Sequence, residues 1–527
     1  MVPERMQVEE AEPWLESTPT PVIQKTTWGS KPNHVDVYQA TTVTVPEKRD
    51  VIHQVFASVI AASFHIVVGV AMAYSAILIP QLEAPESDIK VTLTESSWLA
   101  SVLVLIVPVG ALMAGVIMEY VGRLNTIVIA GIPCLLGWIL IATSSSFTML
   151  LFGRLLTGIS SGFGTSPAIV YITEVAQPEL RGSLISFCPT LASLGMVLIY
   201  AQGAYVSWRM AAWLNLIYIL LPVTLVFLCI PESPVWLVAR GEVEKAEKSL
   251  LWLAGKRTSA ARQQLAAMVK SQDMKAIVAS TAKSRLSAFL RPAGYKPLCI
   301  LCGLFLIQQF SGIYITLFYA VTYFEDAGSS VDPSIATILV GAVRCFMSLC
   351  NTALMKRFGR RPLCMLSGCG MAICMIVSGF FTLHYSKGGT TGSWVPVACM
   401  LLYVCTSMIG LLSIPWTMTA ELFPTEIRGI AHGIVISVAH VIMFGAVHSY
   451  RSLTSFLGGA HGVQWFFAAV SLVGSLFVWL FLPETHGVAL KDFENYFNNN
   501  TLYIGQKKKE ALSKVVVEDT SKELTKS

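Results

Sequence analysis

The stretch Glu174-Val175-Ala176-Gln177-Pro178-Glu179-Leu180-Arg181-Gly182 returns, with its charges at the same spacing, as Glu421-Leu422-Phe423-Pro424-Thr425-Glu426-Ile427-Arg428-Gly429. Each copy closes a long apolar run. Two other short patterns repeat in the same order: Gly122-Arg123 returns as Gly359-Arg360-Arg361, and Pro231-Glu232-Ser233 as Pro483-Glu484-Thr485. The offsets are 237, 247 and 252 residues. Three ordered matches at nearly one distance mark an internal duplication. Parallel repeats of this length are a mark of membrane carriers whose halves rock about a midplane site.

The runs around these patterns fit that reading. Crossing a bilayer takes about 20 apolar residues. Twelve such runs occur, at 55–80, 96–118, 126–143, 147–173, 184–204, 210–230, 298–323, 335–355, 363–383, 394–420, 431–448 and 463–482. The chain is 54% hydrophobic and 13% charged, where soluble domains carry about 25% charged residues. The expected architecture is an all-α membrane protein of twelve transmembrane helices in two pseudo-symmetric six-helix halves, 51–230 and 298–482. A charged linker at 231–297 joins them. There Glu242, Glu244, Lys245, Glu247 and Lys248 interleave with Leu250, Leu251 and Leu253, the pattern of an amphipathic helix at a membrane surface or under a bundle. Residues 1–50 are polar and Pro-rich and read as a disordered cytosolic tail, with the first run as an uncleaved anchor. Residues 483–527 read as a second cytosolic tail.

Charge sets the expected orientation. With the N-terminus inside, 31 of the 37 Lys and Arg fall on the cytosolic side, four on the other, and Arg154 and Arg344 inside runs. This asymmetry places both termini in the cytosol. The repeated patterns then share the cytosolic face. Their arginines serve topology, but Glu174 and Glu421 add nothing to a positive-inside signal. The expected role is a gate: these carboxylates pair with arginines of neighbouring runs, hold the cytosolic side shut, and let go when it opens.

Other chemistries find no support. The 12 cysteines lie in or beside apolar runs and read as small buried hydrophobes. No nucleophile–base pair, metal cluster or phosphate loop occurs, so no enzyme, cofactor or metal is expected. A net charge of +5 is too mild to call for a nucleic acid.

At these residues the chain resembles the sugar porter family of the major facilitator superfamily, over essentially all of 50–500. The resemblance rests on Gly153-Arg154 with Gly158, the two Glu-x6-Arg-Gly ends, Pro231-Glu232-Ser233-Pro234, Gln308-Gln309-Phe310-Ser311-Gly312-Ile313, Gly359-Arg360-Arg361, Pro415-Trp416 and Pro483-Glu484-Thr485. Within the family it looks most like the branch of insect facilitated trehalose transporters and related animal glucose transporters with Tyr-Ser in the first run, here Tyr74-Ser75. The resemblance implies the major facilitator fold and a small sugar as the partner, carried across a lipid bilayer, most simply the plasma membrane, with no obligatory protein partner. It implies gating roles for Arg123, Glu174, Arg181, Arg360, Arg361, Glu421, Arg428, Arg154 and Tyr319. Trp416 matches a cavity-lining tryptophan.

A sugar wants amides, which donate and accept together, and aromatic platforms. Gln308 and Gln309 supply amides in mid-membrane just before Gly312. They suggest a helix opened toward a wet site; the alternative is interhelical hydrogen bonding. Several family sugar ligands are replaced. The span-five glutamine falls near Pro189 or Thr190, the span-seven asparagine is Tyr314, the span-eight asparagine is Arg344, and the span-eleven asparagine and tryptophan fall on Ala439 and His440. Leu124 replaces the second arginine of the first Gly-Arg pattern.

The candidate binding set is therefore Gln308, Gln309, Tyr314, Trp416, Arg344, Thr190 and His440. Arg344, near mid-run, costs about 2.5 kcal/mol or more unless hydrated or paired. It is expected to face the cavity, where it binds sugar hydroxyls or favours an anion. Proton-coupled members carry an aspartate where this chain has Ser75, so facilitated uniport is the primary expectation. Proton coupling through His65, His440 or His448, another solute such as an organic anion, and a non-transporting sugar sensor are the alternatives.

Overall fold

The computed structural model describes residues 51–255, 258–277, 289–328, 331–389, 391–424, 427–485 and 496–497. The expected N-tail, nearly all of the C-tail and Glu426 lie outside the described residues.

Among the described residues, twelve helices are long and apolar enough to span a membrane. Spans one to six are Ile52–Glu83, Leu93–Val121, Arg123–Ala142, Phe147–Val175, Pro178–Tyr205 and Trp208–Cys229. Spans seven to twelve are Pro292–Phe318, Pro333–Arg357, Arg360–Ser386, Val395–Thr419, Arg428–Phe456 and Ala460–Phe481. Most overrun the apolar runs by a few residues. Span eleven goes furthest, so Arg451 belongs to a helix rather than to the expected outer loop. The reason is physical: hydropathy marks where lipid begins, whereas backbone hydrogen bonding carries a helix on through Ser449 and Ser452 into water.

The duplication is visible in the packing. In the first half span one packs on five, two and three on four, and three on six. In the second half seven packs on eleven, eight and nine on ten, and nine on twelve. Spans two and eleven, and five and eight, make the seams between the halves. Leu112, Ile217, Phe227, Phe346 and Ile373 are exposed on the outside of the bundle, as side chains facing lipid should be. Of the cysteines expected to be buried, Cys299 and Cys369 are also exposed.

Among the described residues, spans one and five are interrupted at single residues, Ser63 and Tyr74 in the first and Ser186 in the second, whereas spans seven and ten unwind over several. Span seven unwinds at Ser311–Tyr314, after helix Pro292–Phe310. Gly312 there has φ +96°, and a Cβ would sit 2.4 Å from the Phe467 ring. Only glycine meets both demands. Span ten unwinds between Ile409 and Ile414. Backbone polar groups freed inside a membrane must find partners in the protein, and here they do. The Tyr403 hydroxyl donates to the Ser311 carbonyl at 2.7 Å, and the Ser367 hydroxyl accepts from the Leu411 N–H at 3.0 Å.

The linker contains helices Pro234–Ala239, Val243–Ala254 and Thr258–Ile277. The second buries Ala246, Ser249, Leu250 and Leu253, the amphipathic face expected. The Trp236 indole N–H donates to the Glu119 carbonyl at 3.0 Å, which docks the linker under the end of the bundle that carries the repeated patterns, hereafter the motif end.

Candidate functional site

A cavity of about 590 Å³ lies between the halves. Its inner wall holds Met72, Tyr314, Arg344, Trp416 and His440, and it runs to Gly182, Lys356, Arg360 and Glu421 at the motif end. Gly182 and Lys356 are exposed, so the cavity opens there. Five methionines, Met72, Met196, Met355, Met408 and Met443, line it; their flexible thioethers make an adaptable apolar wall.

Four of the expected binding residues are in this wall: Tyr314, Arg344, Trp416 and His440. Trp416 stacks edge-on with Phe305 on one side and His440 on the other, at 4.9 and 5.5 Å between centroids. Three are elsewhere. Gln308 is fully buried and its amide donates to the Leu411 and Leu412 carbonyls at 2.6 and 2.9 Å. Gln309 donates to the Gln308 side-chain oxygen at 3.2 Å. In this state Gln308 makes the interhelical hydrogen bonds that were the alternative reading, while Gln309 bonds to its neighbour within span seven. Thr190 shares a 2.9 Å hydrogen bond with Ser348 across the five–eight seam. The amide that does line the cavity is Asn351, whose side-chain oxygen has no partner among the described residues. Sequence reading missed it. Its signal was the helical spacing of polar residues on span eight, where Arg344, Ser348, Asn351 and Thr352 share one face.

At the motif end the two halves build the same network. Glu174 accepts from Arg123 at 3.0 Å and from the Ser233 hydroxyl. Glu421 accepts from Arg360 at 3.1 Å and from the Thr485 hydroxyl at 2.6 Å. Glu232 accepts the Leu124 N–H at 2.9 Å. Glu484 accepts the N–H groups of Arg360 and Arg361 at 2.9 and 3.1 Å. These two carboxylates therefore cap the N-termini of spans three and nine, where a negative charge is stabilised by the helix dipole. They also explain the glycine in each Gly-Arg pattern: a Cβ on Gly122 or Gly359 would meet a Glu232 or Glu484 oxygen at 2.4 or 2.2 Å. The capping roles of Glu232 and Glu484, with Ser233 and Thr485, were not foreseen, although their duplication signalled them.

This geometry corrects the expected gate. Arg123–Glu174 joins helices of the first half, and Arg360–Glu421 joins helices of the second. Neither crosses the cleft, and both are intact while the cavity is open at their end. Here they brace each half rather than hold the halves shut. Arg181 and Arg428 do not meet these carboxylates either. They donate to the Ala176 and Phe423 carbonyls, five residues back, at 3.4 and 3.3 Å. Arg361 donates to the Trp479 carbonyl.

Arg154 likewise joins helices of the first half. It is fully buried and donates to the Ala71 carbonyl, the Leu99 carbonyl and the Ser75 hydroxyl at 2.6, 3.2 and 2.5 Å, tying spans one, two and four together. The opposite end is closed. Tyr319, buried, lies 4.8 Å from Tyr450 between centroids. Arg451 on span eleven pairs with Glu83 on span one at 2.6 Å. His448 contacts the Ser101 hydroxyl at 3.2 Å and packs on Trp98 at 4.9 Å.

Residues 54–497 match the family described as Sugar (and other) transporter. The facilitated trehalose transporter Tret1 of Polypedilum vanderplanki is 33% identical over 463 residues, 87% of this chain and 90% of that one. Tret1 of Drosophila virilis is 33% identical over 480 residues, 90% of this chain but 51% of that protein; the chain spans about half the length of the first such relatives. Among solved structures, the proton:xylose symporter XylE bound to 6-bromo-6-deoxy-D-glucose is 24% identical with a TM-score of 0.66, over 84% of this chain and 99% of that one. The inward-open xylose transporter XylE from E. coli is 22% identical with a TM-score of 0.69, over the same shares. These likenesses carry the fold.

Proposed function

The chain belongs to the Sugar (and other) transporter family, and on that premise we propose that it is a facilitative carrier of a small sugar, trehalose or a hexose, working by alternating access. The observation that carries this is the cavity between the halves, open at the motif end and sealed at the other. Its volume of about 590 Å³ falls within the roughly 300–1,000 Å³ usual for small-molecule sites. Trp416 and Tyr314 offer ring platforms, and Ser348, Thr352 and Asn351 offer hydroxyls and an amide. The insect relatives, named as facilitated trehalose transporters, support the substrate class.

The uniport mode rests on Ser75. Ser75 is the side-chain partner of Arg154, and a serine hydroxyl neither gains nor loses a proton near neutral pH, so no titrating carboxylate stands on that arginine. The 31-to-4 charge asymmetry puts the motif end and both termini in the cytosol, and the plasma membrane is the simplest residence. Binding is expected to be weak, about 4 kcal/mol or millimolar, because the solute must leave on the far side.

The test is uptake of radiolabelled trehalose and hexoses into proteoliposomes. Equilibration without accumulation is expected. Accumulation driven by an imposed pH gradient would overturn the uniport mode. Absence of any sugar uptake by correctly inserted protein would overturn the carrier reading.

A further inference from the structure

The cavity holds a charge that neutral sugar transport does not require. Arg344 sits eleven residues from one end of span eight and thirteen from the other, about 16 and 20 Å along the helix. No side chain reaches water at either end from there. Instead Arg344 lines the cavity. Among the described residues it forms no ion pair or hydrogen bond. Its one specific contact is the face of Tyr314, with 5.9 Å from Cζ to the ring centroid. An arginine near mid-membrane is rare and is nearly always paired or part of a substrate pathway.

The surroundings point the same way. Among the described residues of the cavity wall, Arg344, Lys356 and Arg360 are cations and Glu421 is the one carboxylate. Glu421 is held by Arg360 and Thr485. Arg360 is thus matched by Glu421, and Lys356 donates to the Ser183 hydroxyl at 2.6 Å at the mouth, so Arg344 is what makes the deep wall positive, and a positive low-dielectric cleft concentrates anions. Span eight also presents a stripe at helical spacing. Ser348 lies one turn from Arg344, Asn351 two turns on, and Lys356 at the mouth. From Arg344 to Asn351 is about 10 Å along the helix, the length of a small sugar derivative. A guanidinium at the closed end recognises a planar oxyanion through paired N–H donors, while the hydroxyls and the amide behind it suit a polyol chain.

We propose that Arg344 makes this cavity selective for a polyhydroxylated oxyanion of sugar size, a sugar acid or a sugar phosphate, over the neutral sugar. The proposal deepens the carrier reading and rests on it. Uniport of such a solute moves negative charge, so the transport cycle is electrogenic.

The experiment uses the full chain in proteoliposomes and in detergent, with D-glucuronate, its methyl ester, D-glucose 6-phosphate and D-glucose as probes. The ester removes the charge without touching the protein, so the test does not depend on a variant that folds. An oxyanion probe is expected to bind about tenfold or more tighter than the neutral ones, and its uptake to quicken under an inside-positive potential. Preference for glucuronate assigns a carboxylate, and preference for glucose 6-phosphate a phosphate. Arg344→Gln should bring the ratio of oxyanion to neutral affinity near one, and Arg344→Lys should restore part of it. Equal binding of acid, phosphate, ester and glucose, with voltage-independent uptake, overturns this proposal and leaves the sugar carrier standing. No binding or uptake of any probe or other sugar overturns both.

Discussion

Gln308 and Tyr403 each repair the break in the other's helix. The Gln308 amide on span seven donates to the Leu411 and Leu412 carbonyls where span ten unwinds, at 2.6 and 2.9 Å. The Tyr403 hydroxyl on span ten donates to the Ser311 carbonyl where span seven unwinds, at 2.7 Å. Two interruptions that lipid would not tolerate are stabilised by one exchange across a buried interface.

Gln308→Ala should therefore lose fold stability before binding. It strands two buried carbonyls, at about 1–3 kcal/mol for an unsatisfied group. Gln308→Glu should be worse, since a carboxylate faces carbonyl oxygens with no N–H to offer. Thermal unfolding in detergent checks this. Wild-type melting of Gln308→Ala together with lost uptake would instead return this amide to the substrate site.

Gly312→Ala should not yield a folded carrier, because the new methyl meets both a positive φ and the Phe467 ring. Trimming the ring in Gly312→Ala/Phe467→Ala should recover only the steric part. Size-exclusion profiles of the fluorescently tagged proteins report the difference.

Glu174→Gln leaves the buried Arg123 only the exposed Glu119 at 3.5 Å as an ion-pair partner, and Glu421→Gln removes the carboxylate that pairs with Arg360; each should cost about 1–3 kcal/mol after allowing for the residual exposure of each pair, the first less than a lone pair would. The two pairs lie in different halves, so their effects on melting should add within about 0.5 kcal/mol. Strong non-additivity would mean that they communicate across the cleft after all.

Ser75→Asp should place a carboxylate on Arg154, where Ser75 now accepts a hydrogen bond. Wild-type uptake is expected to ignore an imposed pH gradient, and the variant to respond to it. A variant as indifferent as the wild type would show that a titratable partner for Arg154 is not enough for coupling.

The Glu83–Arg451 pair joins the halves at the end away from the repeated motifs. Glu83→Gln should favour opening at that end by about 1 kcal/mol, roughly fivefold in population, and because salt screens the wild-type pair, the difference between variant and wild type should shrink at high salt. Labelling of a cysteine placed beside Tyr319 reads the opening. Unchanged labelling would leave the pair as a passive contact.

Much of this protein was legible in its residues. Lipid forces each crossing segment to satisfy its own backbone and to present apolar side chains, so twelve runs announce twelve helices. Duplication ties Gly122-Arg123 to Gly359-Arg360 and Glu174 to Glu421. Gly312, just after the paired glutamines, marks where span seven unwinds. Arg344 and Trp416 stood out because a charge or a large polar-edged ring in mid-span needs a cavity.

The tertiary structure alone decided which neighbours these residues meet. Inside a membrane, a face toward lipid, a face toward another helix and a methionine-lined cavity are all apolar, so hydropathy cannot give a helix its rotation. Gln308 thus faces a neighbouring backbone while Asn351 faces the cavity, and Arg451 finds Glu83 at 368 positions' separation. The repeated arginines and glutamates were plain in the sequence. That they brace each half, rather than latch one half to the other in this state, depends on which helices lie side by side.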